Sequence, residues 1–152
     1  MPDIEGLLCA LLRGEQPDWP SEQDESFVRS FLEQAAHHGV LPLLHHVLHP
    51  ESARSQGWPQ QVLEACRQQA IAQTMWELRH QNLLGQVLEA LNAAGIKPVL
   101  IKGTVLAYTL YPSPALRTRA DSDLIIAPQD RFKTSEILKA NGFVGQAVSC
   151  EF

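Results

Sequence analysis

The chain has 152 residues, of which 45% are hydrophobic and 19% are charged, and its formal net charge at pH 7 is −5. This composition suffices for the core of one ordinary domain and excludes a disordered chain. The acidic balance argues against a nucleic-acid partner. No apolar run approaches the roughly 20 residues that span a bilayer, and the acidic start lacks the positive region of a signal peptide. We therefore expect a cytoplasmic protein without a membrane segment, and its three separated cysteines argue against a disulfide framework.

Apolar residues at helical spacing dominate the first 94 residues. The predicted helices are, in chain order, one that includes 4–12, one from an N-cap at Ser21 to Gly39, one over 41–49 and one over 59–94. A break of the last helix near Gly85 stays open, because a helix of this length is unusual. The residues predicted to be core and to dock this helix onto the second half are Trp76, Leu83, Leu84 and Val87.

The second half changes its pattern to short apolar runs separated by turns. The predicted strands are 98–101, 123–127 and 143–150, and the predicted helices are 104–110 and one that begins at Pro128 and ends at Asn141. Residues 1–95 carry a formal charge of −7, and residues 96–152 carry +2. We therefore predict an α+β fold with two parts, a helical region over 1–94 and a small sheet with helices over 95–152.

Two aspartates at the start of the second strand suggest a metal site. Asp121 and Asp123 flank Ser122, and residues two apart on a strand project from the same face. Two carboxylates that close repel each other unless a cation neutralises them. Mg²⁺ prefers such oxygen ligands together with substrate phosphates. We therefore predict Asp121 and Asp123 as metal ligands and as the catalytic pair of a phosphoryl or nucleotidyl transfer.

The junction between the first strand and the next helix suits a phosphate. Lys102, Gly103 and Thr104 lie there. A glycine lets a phosphate approach the backbone, and the N–H groups at a helix start point toward an anion. Thr104 offers a hydroxyl donor, and the Arg117 guanidinium in the following loop can neutralise phosphate charge. We predict these four residues to bind substrate, and we interpret the neighbouring Arg119 as a surface charge.

These motifs together resemble a known family. The segments are GIKPVLIKG at 95–103, LYP at 110–112, Arg117, and DSDLII at 121–126. They resemble an uncharacterised nucleotidyltransferase-like family of bacterial proteins, which pairs LLKG-x-x-LA-x-x-LYP with R-x-x-x-D-x-D-LL. That family is similar to the DNA polymerase β-type nucleotidyltransferase superfamily. The resemblance covers about residues 95–143, and the helical first half matches only in general character.

The resemblance implies a minimal nucleotidyltransferase-type sheet over the second half. It implies that Gly103 and Thr104 form the turn that holds nucleotide phosphates, and that Asp121 and Asp123 bind the metal. Lys102 and Arg117 match positions typical of this branch and would contact phosphate through their charge. The implied reaction transfers a nucleoside monophosphate from an NTP to a hydroxyl, with Mg²⁺ as cofactor and release of pyrophosphate. The acceptor is not identified by the sequence.

The chain departs from the superfamily pattern in three places. The gap between the glycine turn and Asp121 is longer than in most members, and Ser122 stands where a hydrophobic residue is common. The superfamily has a third carboxylate on a later strand, for which Glu151 is the candidate because it is the only acidic residue after Glu136. We therefore expect the chain to be part of a longer protein, and we leave open whether it is an enzyme.

Two other functions stay open. One is a non-catalytic module that binds a nucleotide or a protein, with the helical region as the surface for a protein partner or a second copy of the chain. The other is a sugar-nucleotide glycosyltransferase that uses Asp-x-Asp, against which the turn at Lys102–Thr104 and the short chain argue. A zinc site is a further alternative, which we set aside in favour of a polar helix face. Its candidate ligands are His37, His38, His45, His46 and His49.

Overall fold

A computed structural model of the protein describes residues 3–20, 24–49 and 57–145. In these residues six α-helices and two β-strands form the α+β fold that the sequence predicts. The helices are α1 (Ile4–Leu12), α2 (Glu25–His37), α3 (Leu41–Val47), α4 (Gln60–Ala93), α5 (Lys102–Leu110) and α6 (Arg131–Ala140). The strands are β1 (Val99–Ile101) and β2 (Asp123–Ile125), and short 3₁₀ turns occupy Pro114–Leu116 and Pro128–Asp130.

The first three helices and the start of α4 enclose one apolar core. α2 begins at Glu25 because the Asp24 side chain accepts a hydrogen bond from the Phe27 backbone N–H at 3.0 Å, which caps the helix. The predicted cap, Ser21, lies outside the described residues. The most deeply buried members of this core, each at most 2% exposed, are Leu11, Phe31, Ala35, Leu44, Leu48, Val62 and Cys66.

Helix α4 is continuous over 34 residues. At 1.5 Å per residue it is about 51 Å long, and the helix passes through Gly85 without interruption. Its first turns close the apolar core, and its last turns contribute Val87 and Leu91 to a second, smaller cluster with Ile96. The same helix therefore carries residues of both predicted parts, and the predicted boundary at residues 94 and 95 stays a prediction.

The two strands pair antiparallel, with Ile101 opposite Asp123 and Val99 opposite Ile125. Leu124 packs against the second cluster, whereas Val99 and Ile125 are more than half exposed. The sheet therefore has one face toward α4 and one toward solvent, as expected from side-chain alternation. Asp123 precedes Ile125 by two residues and shares its face.

Several element bounds differ from the sequence prediction: α3 ends at Val47 rather than at residue 49, and α6 begins at Arg131 after the 3₁₀ turn that starts at Pro128. α5 begins at Lys102, two residues earlier than expected, so the strand leads directly into the helix. β2 ends at Ile125 rather than at residue 127. Residues 143–145 do not form a strand, and the rest of the predicted third strand, with Glu151, lies outside the described residues. In the described part of the chain no helix has both the length and the apolarity needed to cross a bilayer.

Candidate functional site

The site begins at the turn between β1 and α5. Lys102 has a φ of 54°, in the left-handed region that non-glycine residues rarely adopt. Ile101 is the N-cap of α5 and has no side-chain oxygen, so the first N–H groups of the helix have no side-chain cap. Lys102, and not the neighbouring glycine, therefore makes the bend, and the bend leaves backbone donors available to an anion.

Strand register brings Asp123 to this turn. Ile101 pairs with Asp123 across the sheet, and Ile101 is also the residue at which α5 starts. The Lys102 ammonium Nζ lies 3.0 Å from Asp123 Oδ1 and donates a hydrogen bond to it. The Lys102 side chain is 69% exposed, and the Asp123 side chain is 33% exposed. The structure thus brings the predicted phosphate turn and one predicted metal ligand into direct contact.

Thr104 lies beneath the same turn and is only 1% exposed. Its Oγ1 is 2.7 Å from Ser122 Oγ and 3.5 Å from the Asp121 carbonyl oxygen. These contacts connect α5 to the segment that carries both aspartates. The hydroxyl predicted to face a phosphate is therefore directed toward the backbone of the Asp-x-Asp segment.

Gly103 faces the two arginines of the loop before β2. A Cβ at Gly103 would lie 4.0 Å from Arg117 Nε and 3.9 Å from Arg119 Cδ, which are ordinary contact distances. The Arg117 guanidinium lies over the Tyr111 ring, 5.8 Å from its centroid. Its Nε is shielded from solvent and has no hydrogen-bond partner among the described residues. A buried donor without a partner is costly, so an acceptor that reached this N–H would be favoured.

The interpretation of Arg119 as a surface charge is wrong, because its side chain is only 4% exposed. It pairs with Glu77 of α4, which is 5% exposed. Arg119 Nη2 donates to Glu77 Oε1 at 2.9 Å and lies 2.7 Å from Oε2, the latter an ion-pair contact without hydrogen-bond geometry. The rings of Trp76 and Tyr108 each lie within 6 Å of its guanidinium carbon. This buried ion pair joins the long helix to the loop before β2.

Tyr108 of α5 completes the surroundings of the Glu77 carboxylate. Its hydroxyl donates to Glu77 Oε1 at 2.7 Å. Burial and this hydrogen bond raise the pKa of Tyr108 to about 12, so the hydroxyl keeps its proton at neutral pH. α4, α5 and the loop before β2 therefore meet at one carboxylate.

His80, one helical turn beyond Glu77, reaches the Asp-x-Asp segment directly. Its Nε2 is 2.8 Å from Ser122 Oγ, and its Nδ1 is 3.3 Å from Arg119 Nη2. The imidazole stacks on Trp76 with the ring centroids 4.7 Å apart. Burial, and next the positive charge of Arg119, lower the pKa of His80. A neutral imidazole is therefore favoured beside the residue that separates the two aspartates.

Glu77, His80 and Arg119 were not predicted as functional residues. The available signal was the position of Glu77 in α4, where Gln73 and Glu77 occupy the buried face of the helix. That face elsewhere holds Val62, Cys66, Val87 and Leu91. A carboxylate on the buried face of a helix requires a partner. The sequence does not say which cation supplies it, because Arg119 is 42 residues away.

A cleft of about 500 Å³ lies next to this network. Its wall includes Asp121, Ser122 and His80 together with apolar residues of α4, β2 and α6. All four residues predicted as core, Trp76, Leu83, Leu84 and Val87, line this cleft, and Leu83 is 38% exposed. The core prediction is wrong for Leu83 and correct for Val87, which is 3% exposed. The cleft is of the size that small-molecule sites occupy.

A divalent cation requires several oxygen, nitrogen or sulfur ligands close together. Within residues 3–20, 24–49 and 57–145, no three His, Cys, Asp or Glu side chains form a group that could hold a metal ion, so the histidines of α2 and α3 do not form a zinc site there. Asp121 and Asp123 form a set of two carboxylates, which is the number that Mg²⁺ commonly takes when substrate phosphates supply further ligands. The Lys102 ammonium already places a positive charge on Asp123. By the chemistry of their donors, Asp121 and Asp123 would suit a magnesium ion that takes its further ligands from a phosphorylated substrate.

The comparisons with known proteins place the chain in a class. The model of a family described as uncharacterised nucleotidyltransferase matches residues 24–149. No curated protein and no solved structure matches the chain. The match covers most of the sequence and includes α2, α3 and α4. The helical region from residue 24 onward is therefore part of the family pattern and not only similar in general character.

The chain belongs to this uncharacterised nucleotidyltransferase family. Membership supports a nucleotidyltransferase type of function, with an NTP as the substrate class.

Proposed function

We propose that the protein transfers a nucleoside monophosphate from an NTP to a hydroxyl acceptor in a Mg²⁺-dependent reaction. The observation that carries this proposal is the contact of 3.0 Å between Lys102 and Asp123. It joins a helix start with uncapped N–H groups, which suits phosphate, to a carboxylate that suits a divalent cation. The family match supports the reaction type.

Asp121 and Asp123 are the residues that would hold Mg²⁺. When bound, the metal would neutralise charge on the triphosphate and on the oxygens of the transfer. An exposed ammonium-carboxylate pair contributes little stability, so a divalent cation can displace Lys102 from Asp123 at small cost. Lys102 is then available to contact the triphosphate.

The remaining proposed contacts are with phosphate. The uncapped N–H groups at the start of α5 donate to phosphate oxygens, and Gly103 leaves space beside the backbone for them. The Arg117 guanidinium supplies positive charge and a donor without a partner. The sequence predicted that Thr104 binds phosphate. In this proposal its hydroxyl instead holds the Asp121 segment in place through its contacts with the Ser122 hydroxyl and the Asp121 carbonyl oxygen.

Calorimetric titration with ATP, CTP, GTP and UTP, each with and without Mg²⁺, tests the site. We expect metal-dependent binding of at least one NTP, and loss of that binding in the double variant Asp121→Ala, Asp123→Ala. Asp130→Ala is the matched control, because it removes an aspartate outside the site from the same part of the chain. Metal-dependent binding that survives the double change would contradict the metal assignment.

Turnover requires a separate measurement, because binding alone also fits the non-catalytic alternative. Incubation with an α-labelled NTP, Mg²⁺ and a mixture of hydroxyl-bearing small molecules and proteins should label an acceptor and release pyrophosphate. Labelling by the wild type and not by the double aspartate variant supports the enzyme. NTP binding without labelling favours the non-catalytic module, and preference for a UDP-sugar over every NTP favours the glycosyltransferase alternative.

A further inference from the structure

A continuous chain of polar contacts runs from α4 to the backbone between the two aspartates. It starts at the buried ion pair of Glu77 and Arg119, and Arg119 contacts His80 Nδ1 at 3.3 Å. His80 Nε2 contacts Ser122 Oγ at 2.8 Å, and Ser122 Oγ contacts Thr104 Oγ1 at 2.7 Å. The next contact, at 3.5 Å, is the carbonyl oxygen of residue 121.

The direction of each hydrogen bond follows from the first donor. A guanidinium has only N–H donors and does not lose its proton in proteins. His80 Nδ1 must therefore accept from Arg119, which leaves the proton of the neutral ring on Nε2. Nε2 then donates to Ser122 Oγ, the Ser122 hydroxyl donates to Thr104 Oγ1, and Thr104 donates to the carbonyl oxygen of Asp121. Each donor in this series of hydrogen bonds therefore has one acceptor, and no contact places two donors or two acceptors against each other.

This direction of the hydrogen bonds excludes the interpretation that His80 activates Ser122 as a nucleophile. A histidine that activates a serine nucleophile must accept the hydroxyl proton on the nitrogen that faces it. Here the nitrogen that faces Ser122 carries the proton and donates. His80 therefore does not serve as a base toward Ser122, and the contact fixes the position of the serine.

We infer that Glu77, His80 and Arg119 are positioning residues, which through Ser122 hold the Asp121–Asp123 segment against the phosphate-binding turn. The inference rests on the proposed function in that this segment is the proposed metal site. It extends that function to the helical region, because Glu77 and His80 lie on α4. The helical region then supplies part of the site's geometry and is more than a separate docking module.

The histidine tautomer can be measured independently of activity. In protein labelled with ¹⁵N at histidine, the ring nitrogens of His80 are assigned by comparison with His80→Gln. We expect Nε2 to give the shift of a protonated nitrogen and Nδ1 that of an unprotonated one at neutral pH. In Arg119→Lys, whose ammonium does not match the fork geometry of the guanidinium, we expect this preference to weaken. A proton on Nδ1 in the wild type would overturn the assigned direction.

A double-mutant cycle tests whether His80 acts through Ser122. His80→Phe keeps a ring stacked on Trp76 and removes both hydrogen bonds, whereas His80→Gln retains a donor and an acceptor. We expect Mg²⁺-dependent NTP binding to weaken about tenfold in His80→Phe and in Ser122→Ala, because each leaves buried polar groups without partners, and to weaken less than about threefold in His80→Gln. Thr74→Val on the same helix, which removes an exposed hydroxyl contact, is the matched control.

The cycle also separates positioning from a general loss of stability. The double variant His80→Phe, Ser122→Ala should bind no more weakly than either single variant. Both residues belong to one series of hydrogen bonds, so the losses of affinity from the two substitutions are not additive. Additive losses, or wild-type affinity in His80→Phe, would overturn the proposal. An equal loss of Mg²⁺-NTP affinity in His80→Phe and in the control Thr74→Val would also overturn the proposal.

Failure of the proposed function would be recognised in the wild type. If wild-type protein shows no Mg²⁺-dependent binding of any NTP, the proposed function fails. The positioning assignment is then decided by amide hydrogen exchange over residues 121–125. We expect about tenfold faster exchange there in His80→Phe than in the wild type or Thr74→Val, because loss of this contact lowers the local protection of the segment. Unchanged exchange would refute the positioning role.

Discussion

The two buried clusters at the ends of α4 differ in the kind of contact that surrounds them, apolar at one end and partly polar at the other. The core of α1 to α3 is apolar, with Trp19, Phe31 and Trp58 in mutual ring contact. At the other end of α4, the described apolar cluster has only Val87, Leu91 and Ile96 as fully buried members. Beside it the helix buries an ion pair and a chain of hydroxyl and imidazole contacts. Stability therefore comes mainly from the first cluster, and geometry near the aspartates comes from the polar network beside the second cluster.

This difference has a physical reason. Burial of apolar surface is the dominant favourable term in folding, but it has no preferred direction. A buried polar network adds little net stability, because desolvation offsets the attraction between its charges, yet each hydrogen bond fixes a distance and an orientation. A site that must place two carboxylates beside a phosphate turn requires such directional contacts. The predictions that follow separate these two contributions.

The largest effect is expected in the apolar core. Phe31 is fully buried, and Phe31→Ala should lower the free energy of unfolding by about 3–5 kcal/mol, since it removes apolar contacts and leaves a cavity. Because the residue is remote from the aspartates, the protein that remains folded at low temperature should bind Mg²⁺-NTP with wild-type affinity. Urea titration and calorimetry measure the two quantities. A large loss of affinity with full folding would mean that the two clusters are coupled.

Arg119→Met should cost about 3 kcal/mol of unfolding free energy, because it strands the buried Glu77 carboxylate. The double variant Glu77→Leu, Arg119→Met should recover most of that loss, since apolar residues often replace a buried ion pair without penalty. It should nevertheless bind Mg²⁺-NTP more weakly than the wild type. Denaturation curves and Mg²⁺-NTP titrations of the wild type, Arg119→Met and the double variant measure the stability and the affinity. Wild-type binding by the double variant would show that the ion pair has no part in the site.

Acidification should reduce the contribution of His80 to stability. Its pKa in the folded protein is lowered by burial and by Arg119 from the ordinary value of about 6.5. Below pH 6.5 the unfolded chain therefore binds more protons at this position, so the contribution is complete above that pH and declines as the pH falls toward the folded-state pKa. His80→Gln does not titrate and is the reference.

The measured quantity is the difference in unfolding free energy between the wild type and His80→Gln from about pH 7 to pH 5. This difference should shift in favour of the variant on acidification. His45, whose pKa is also lowered by burial, is present in both proteins and cancels. A difference that does not change with pH, or that favours the wild type more in acid, would contradict the prediction.

The smallest stability effect is expected at Gly103, where a Cβ meets only ordinary contacts and φ is not positive. Gly103→Ala should be neutral or stabilise by about 0.5 kcal/mol, because alanine favours a helix over glycine. If a phosphate approaches the backbone here, the same methyl group should weaken Mg²⁺-NTP binding. Thermal unfolding and calorimetry test both parts, with Gly85→Ala in α4 as the control glycine in open space. Equal affinity in Gly103→Ala and the wild type would exclude that approach.

Local patterns sufficed to predict much of the fold. The helix over 59–94, the strand before Lys102 and the strand that begins at Asp123 all follow from side-chain period and from Gly and Pro positions. The family resemblance was likewise visible in short motifs. The break that the sequence left open near Gly85 does not occur, because one glycine costs only about 1 kcal/mol and packing at both ends of α4 outweighs it.

The sequence by itself determined most helical segments and the two observed strands, because these depend on neighbours along the chain, and it showed which residues carry carboxylates and cations. Only the tertiary structure decided that Arg119 is buried and pairs with Glu77, that His80 reaches Ser122, and that Asp123 meets Lys102. Those pairs are separated by 21 to 42 residues. Their partners are chosen by how α4 packs on the sheet and by strand register, which no local pattern specifies.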